Sequence, residues 1–356
     1  MKKAIHGCIN FSMKGFSVFI LLLLVITGCK KHVPPVLLSG YQKTVLVADV
    51  AGYDAARIDP TLVNAWGIAA APSGPIWIAS NHTSVTQVYD KNGKTLIPAV
   101  SVLAGEGAPT GVVFNGTTNF VIPANGKPAR FIFAGEDGTI SAWNGGTSTI
   151  EVADQSSAEA VYKGLAIGSV GADTFLYATN FKEGKIDVFD KNYNLVNDKL
   201  FADAALSQGY APFNIRNIGG LLFVTYAKQK GPENMDDEKG PGNGYINIFD
   251  TKGLLLRRFT SRGALNSPWG IVQATADFIA GGNAILVGNF GDGRINVYGL
   301  DGAYLGHLNS NGGRAIEIDG LWAIENNIAG TDPTQLFFTA GPAGESHGVF
   351  GYVQKN

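Results

Sequence analysis

Cysteine is nearly absent from this 356-residue chain, which has only Cys8 and Cys29. If the segment before Cys29 is removed on export, one thiol remains, no internal disulfide can form, and packing alone must hold the body together. Charged residues are also sparse, at 16%. No run of Lys or Arg exceeds a pair, which leaves out the basic patch that nucleic-acid binding requires. Helical periodicity is scarce too: the spacing predicts only short helical pieces, Asp203 to Gln208 and a turn near Ser261 to Leu265. There is no Gly-x-Ser-x-Gly elbow, His-Glu-x-x-His helix or phosphate-binding loop.

What is present begins at the amino terminus. Lys2, Lys3 and Lys14 form a basic region, and Phe16 to Ile26 is apolar except for Ser17. That run is too short to span a bilayer comfortably and has the proportions of a signal segment. It ends in Ile26-Thr27-Gly28-Cys29, which resembles the lipobox of bacterial lipoproteins, whose cysteine is acylated and becomes residue one of the mature chain. The resemblance implies a signal peptide over 1–28, a lipidated Cys29 with a linker over 29–43, and a folded domain over 44–356. Acyl chains at roughly 0.8 kcal/mol per buried methylene hold a protein on a membrane without a spanning helix. Lys30 and Lys31 follow the cysteine. By resemblance to the Gram-negative sorting rule, the lack of an aspartate there implies the outer membrane, facing either the periplasm or the exterior. Losing Lys2, Lys3 and Lys14 with the signal leaves 24 basic residues against 29 acidic.

The body of the chain repeats. Units open at Gly67, Gly111, Gly164, Asn214, Gly270 and Gly320, at intervals of 44, 53, 50, 56 and 50 residues. Each has a short aliphatic strand, a second apolar strand and an alternating third strand that often ends in aromatic-Asp, as in Val188-Phe189-Asp190 and Ile248-Phe249-Asp250. A turn and an outer strand follow. A period near 50 built of short strands, with 47 glycines, is the pattern of an all-β, six-bladed β-propeller. A seven-bladed ring would require splitting the 53- or 56-residue unit. The last unit lacks a fourth strand, and Thr44 to Asp49 has strand composition without a partner, so the propeller is expected to close with this amino-terminal segment as the outer strand of blade six. Polar positions on the third strands point to water or to a polar blade interface.

Two stretches, Ala178 to Asp190 and Val287 to Tyr298, resemble NHL-type repeats. Through Leu62 to Ile68, Glu136 to Trp143, Asn180-Phe181 and Ser267 to Ile271, the mature chain resembles an uncharacterised family of secreted bacterial six-bladed propellers, here in a lipoprotein form. The resemblance implies the fold and export and brings no established activity.

Sites are sought where propellers usually bind, on the face carrying the loops between strands two and three and between successive blades. His82 and His347 fall on equivalent turns of neighbouring blades, a pattern that is more often incidental than catalytic. Asn81, Asn180 and Asn289 recur in register, which favours a structural turn role. The longest insertion, Lys228 to Gly244, is the best candidate for partner recognition. Its Asp236, Asp237 and Glu238 could hold Ca2+, but they lack the alternating oxygen pattern of an EF-hand loop. Asp59, Asn64, Glu317 and Asp319 meet at the channel entrance if the ring closes. Six-bladed lactonases hold a divalent cation at that place, so a metal-dependent hydrolase is one expectation. Thr110, Lys163, Phe213 and Trp269, at the equivalent positions, do not complete an oxygen cage, while Trp66 and Trp269 could stack on a sugar ring. The leading expectation is a lipid-anchored extracytoplasmic scaffold that binds a protein or glycan and no nucleic acid. The alternative is the lactonase-type hydrolase.

Overall fold

The computed structural model describes residues 38–196, 201–279, 283–326 and 328–355, all within one unit, Pro35–Asn356. The signal segment, Cys29 and the linker as far as residue 37 lie outside the described residues. The fold is a six-bladed β-propeller of antiparallel blades. Its first strands, Ala65–Ala70, Pro109–Phe114, Tyr162–Val170, Tyr210–Ile218, Pro268–Gln273 and Leu321–Glu325, together line one narrow cavity of about 20 Å³ at the axis.

Closure follows the sequence expectation. In blade six, Leu321–Glu325, Gln335–Ala340 and Val349–Lys355 are completed by Tyr41–Ala48, which pairs antiparallel from Tyr41↔Lys355 to Ala48↔Val349. This strand starts three residues earlier than its composition suggests. Arg57–Ile58 then runs parallel beside it. The two long units stay single blades. The 53-residue unit carries an extra hairpin, Val121–Ile122 with Lys127–Pro128, and the 56-residue unit carries the excursion from Lys228 to Gly244, which leaves its blade after Leu221–Lys228 and returns at Tyr245–Phe249.

The third-strand polar residues are buried and act as fasteners. Gln87 Nε2 donates to Thr61 O at 2.7 Å, Asp187 Oδ2 accepts from Tyr162 Oη at 3.0 Å, and Asn247 Nδ2 donates to Asp203 Oδ2 at 2.9 Å. Asn296 Nδ2 donates to Ala264 O at 3.0 Å. The Gln87, Asn247 and Asn296 bonds tie a blade to the chain arriving from its predecessor, and the Asp187 bond fastens the third strand of blade three to the start of its own first strand, so these positions are buried fasteners rather than a wetted face. The aspartate of the aromatic-Asp pair has a separate task. Asp90, Asp190 and Asp250 each accept two backbone N–H groups of the following turn through Oδ1, at 2.8 to 2.9 Å, which fixes the hairpin to the outer strand.

Neither expected helical piece forms. Residues 203–208 make a single turn closed by Leu206 N to Asp203 O at 3.0 Å, because the Asp203 carboxylate is committed to Arg258 and Asn247. At 261–265, Arg262 and Gly263 have φ of 55° and 57°, which a right-handed helix does not allow. Among the described residues the only helical pieces are three 3₁₀ turns, Asn81–Thr83, Leu103–Gly105 and Ser156–Ala158, and no helix is long and apolar enough to cross a membrane.

Around the axis, Gly67, Gly111, Gly164, Asn214, Gly270 and Ala323 sit at one level. A Cβ on Gly67 would lie 2.4 Å from Thr110 O, and one on Gly111 would lie 2.5 Å from Leu165 N. Glycine is needed here for close approach of neighbouring backbones, not for an unusual φ. The sixth member of the ring is Ala323 rather than Gly320, which occupies the turn before the strand with φ of 64°. Crowding of this kind predicts that Gly111→Ala costs about 1–3 kcal/mol by overpacking, measured by urea denaturation. An unchanged midpoint would contradict the close approach.

Candidate functional site

One residue before each ring position, the first strands present Trp66, Thr110, Lys163, Phe213, Trp269 and Trp322. The tryptophans fill the axis. Trp66 stacks on Trp322 with centroids 3.7 Å apart, Trp269 packs edge-on to both, and Phe290 stacks on the other side of Trp322 at 3.9 Å. Trp66 and Trp269 are core residues in this arrangement, at 1% and 4% exposure.

Into this aromatic plug the third blade inserts an ammonium. Lys163 is only 2% exposed, a burial that charged side chains tolerate only when paired. Its Nζ forms an ion pair with Glu136 Oε1, lies 3.5 Å from Asp236 Oδ1, and stands 5.2 Å from the centroid of the Trp66 ring. Burial would lower its pKa, but Glu136, Asp236 and Glu345 outweigh that and raise it. The lysine is therefore a fixed cation and is not poised as a nucleophile or base.

The oxygen groups around it are held by amides. Asn81 Nδ2 donates to Glu136 Oε2 at 2.8 Å. Asn64 Oδ1 accepts from Trp322 Nε1 at 2.9 Å, while its Nδ2 donates to Glu345 Oε2 at 3.0 Å and lies 3.4 Å from both Asn81 Oδ1 and His82 Nε2. Burial raises the Glu345 pKa, with Lys163 and Asn64 opposing. Asn81 thus departs from its register partners. Asn180 Oδ1 accepts from Val161 N and Glu183 N, and Asn289 Nδ2 donates to Ala264 O and Asp292 Oδ1, both in the structural role expected of a turn asparagine.

The excursion from Lys228 to Gly244 lies on this mouth. Gln229 bridges to Asp237, Lys230 N donates to Asp236 O at 2.8 Å, and Glu238 N donates to Lys228 O at 2.7 Å, so the segment folds back on itself. Its acidic residues diverge: Asp236 faces Lys163, Glu238 Oε1 pairs with Lys228 Nζ at 2.7 Å, and Asp237 Oδ2 is shut off from solvent without a hydrogen-bond partner. Three carboxylates turned to separate surroundings do not form a calcium loop. Lys239 Nζ sits 3.9 Å over the Phe290 ring.

The other sequence candidates are dispersed. Of the proposed metal set, only Asn64 joins the mouth network. Asp59 accepts from Thr61 Oγ1 at 2.6 Å and Tyr89 Oη at 2.7 Å, Glu317 Oε1 pairs with Arg294 at 2.9 Å, and Asp319 Oδ2 accepts from Ala343 N at 2.8 Å. Among the described residues no three His, Cys, Asp or Glu side chains gather where they could hold a metal ion. The residues present therefore do not fit the divalent-cation site that a lactonase-type mechanism needs. His82 and His347 also have separate partners, His82 at Asn64 and His347 Nδ1 at Asp49 Oδ2, 2.8 Å away. Ser267 Oγ, a buried hydroxyl in the blade-five connection, makes no close hydrogen bond among the described residues, and the Asp237 carboxyl is the acidic group it faces. The arrangement can present fixed charges and amides to a ligand.

Sequence reading passed over Lys163 because it did not complete an oxygen cage. The usable signal was a lysine at a level where the other blades carry aromatic residues or threonine.

No protein-family model matches the chain. Uncharacterized protein R648 of Acanthamoeba polyphaga mimivirus is 36% identical over 317 residues, covering 85% of this chain and 77% of the relative. Uncharacterized protein L690 of the same virus is 34% identical over 317 residues, covering 85% and 83%. These relatives are viral, whereas the sequence resemblance was to bacterial propellers. Among solved structures, a streptogramin B lyase has a TM-score of 0.53 at 11% identity, covering 89% of this chain and 97% of that one. A provisionally assigned gluconolactonase has 0.52 at 12%, covering 83% and 89%. A protein of unknown function from Bacteroides thetaiotaomicron has 0.56 at 10%, covering 88% and 76%. At such identities the likeness is one of fold alone.

Burial raises the Asp237 pKa, with the Ser267 hydroxyl, Lys239 and Lys163 opposing. A carboxyl whose folded-state pKa is raised contributes stability that is full below its unfolded value of 3.8 and is lost as pH rises through the folded value; Glu345 acts with the same sign. Asp237→Asn is therefore expected to raise the melting temperature at pH 7.5 by about 2 °C or more and to flatten its decline from pH 4 upward. A lower melting temperature at pH 7.5 would show that the charge is stabilised in place.

Proposed function

The chain belongs to the family of the uncharacterized mimivirus proteins R648 and L690, and we propose that it is an exported, lipid-anchored binding propeller that receives a protein or glycan on the loop face around Lys163. One observation carries this reading: the channel mouth is organised around a buried ammonium that is already matched by carboxylates and amides, above an axis filled with tryptophan. Such a mouth offers fixed hydrogen-bonding groups at its surface and no passage for a substrate to a reactive centre below. The excursion contributes exposed Asp236, Glu238 and Lys239 beside it, the kind of loop decoration through which rigid scaffolds recognise partners.

Tethering through Cys29 and placement at the outer membrane rest on the amino-terminal sequence, with its basic, apolar and Thr-Gly-Cys parts in order. Secretion is part of the same reading. The hydrolase alternative has support from the fold of the lyase and gluconolactonase neighbours, but it lacks the ligand cage its metal would require.

Elemental analysis of the protein purified without chelator, with thermal melts in the presence and absence of EDTA, separates the two. The binding reading expects substoichiometric metal and a melting temperature indifferent to EDTA. A near-stoichiometric divalent ion whose removal lowers the melting temperature would favour the hydrolase. For the tether, Cys29→Ala should abolish incorporation of a labelled fatty acid and move the protein from the membrane to the soluble fraction. Labelling that persists in the variant would overturn it.

A further inference from the structure

The opposite end of the channel, where the first strands turn back toward the second, has a different chemistry. Two residues past the ring level stand Ala69, Val113, Ala166, Arg216, Val272 and Glu325, and one residue further stand Ala70, Phe114, Ile167, Asn217, Gln273 and Asn326. Polar side chains are thus confined to blades four, five and six, which contribute one apolar side chain, Val272, while blades one, two and three contribute only apolar ones. Arg216 Nη2 and Glu325 Oε2 form an ion pair across the fifth blade. Glu325 Oε1 also accepts Asn326 N at 3.1 Å, Asn326 Nδ2 donates to Gln273 O at 2.7 Å, and Asn217 Nδ2 donates to Ile167 O at 3.0 Å.

Three connected cavities share Arg216 and Glu325. An inner one of about 190 Å³ opens into one of about 510 Å³ beside the amide residues and one of about 360 Å³ beside Ala70 and Phe114. The outer volumes fall in the range that small ligands occupy, about 300–1,000 Å³. Inward, the space narrows to about 20 Å³ at the glycine level, room for about one water. The funnel is blind.

We propose that this funnel binds the terminal ring of a neutral carbohydrate, a site separate from the loop face and independent of its assignment. The charge balance selects neutrality: an anion meets Glu325, a cation meets Arg216, and neither gains from a pair that already cancels. Arg216 presents a guanidinium with five N–H groups and is about one-third exposed at its side chain. With the Glu325 carboxylate and the side-chain amides it sets donors and acceptors side by side, as vicinal hydroxyls require. The facing half, with Phe114 and aliphatic side chains, suits the C–H face of a sugar ring. Because the funnel ends at the glycine level, a glycan enters by its terminus and does not thread through.

Isothermal titration of the full-length protein with glucose, galactose, mannose, N-acetylglucosamine, maltose and cellobiose, alongside glucuronate and glucosamine as charged counterparts, tests this. The expected result is saturable binding of at least one neutral sugar with Kd of about 1 mM or tighter, at least about tenfold stronger than its charged counterpart. The paired variant Arg216→Met/Glu325→Met, which leaves no unmatched charge, should lose that binding. If that variant does not fold, Gln273→Ala, at an exposed position, should weaken binding at least about threefold. Absence of saturable neutral-sugar binding, equal affinity for the charged counterparts, or affinity unchanged in the variants would each overturn the proposal.

Discussion

The structure depends on one long-range pairing, Tyr41–Ala48 against Val349–Lys355. Each of the other blades is built from strands that follow one another in the chain, with only the Val121–Ile122 and Lys127–Pro128 hairpin intervening in blade two, so its ladder forms locally. Blade six alone needs both ends of the domain. Closing so large a loop costs entropy that grows only slowly with length, and the closure removes the exposed strand edges an open array would leave. It also forces six first strands to one axis, which is why glycine, Asn214 or Ala323 is required at the level of closest approach.

Convergence decides the chemistry of both ends. On the loop face, three tryptophans and two phenylalanines fill the space, and the buried ammonium of Lys163 draws Glu136, Asp236, Asn81 and Asn64 into a single network. On the other face the strands diverge, side chains no longer fill the axis, and an ion pair lines an open funnel. The two sites are built from the same strands, four or so residues apart, and a constriction at the glycine level separates them.

Much of the fold was legible in the sequence because its signals are local. The aromatic-Asp endings mark turns in which Asp90, Asp190 and Asp250 cap backbone N–H groups, and the unpaired strand at Thr44 marked the closure. The sixth ring position was misread at Gly320 because alanine replaces glycine there, and a turn glycine lies just upstream. The site was less legible. Grouping Asp59, Asn64, Glu317 and Asp319 assumed that loops adjacent in topology point their side chains together, yet Asp59 is consumed by Thr61 and Tyr89, and Glu317 by Arg294. Lys163 needed the geometry, since its partners come from blade two and the excursion. Arg216 and Glu325 lie two residues past Asn214 and Ala323, in step around the ring, but only a correct sixth register reveals that they match.

The central claim is that the loop-face mouth is built around a permanently charged Lys163. A pH titration of the lysine side-chain signals by NMR, with Lys163 assigned through Lys163→Arg, measures that charge directly. The account predicts a Lys163 that stays protonated beyond its ordinary value of 10.5. A Lys163 that is neutral near pH 8 would contradict it and mark the residue as a base or nucleophile.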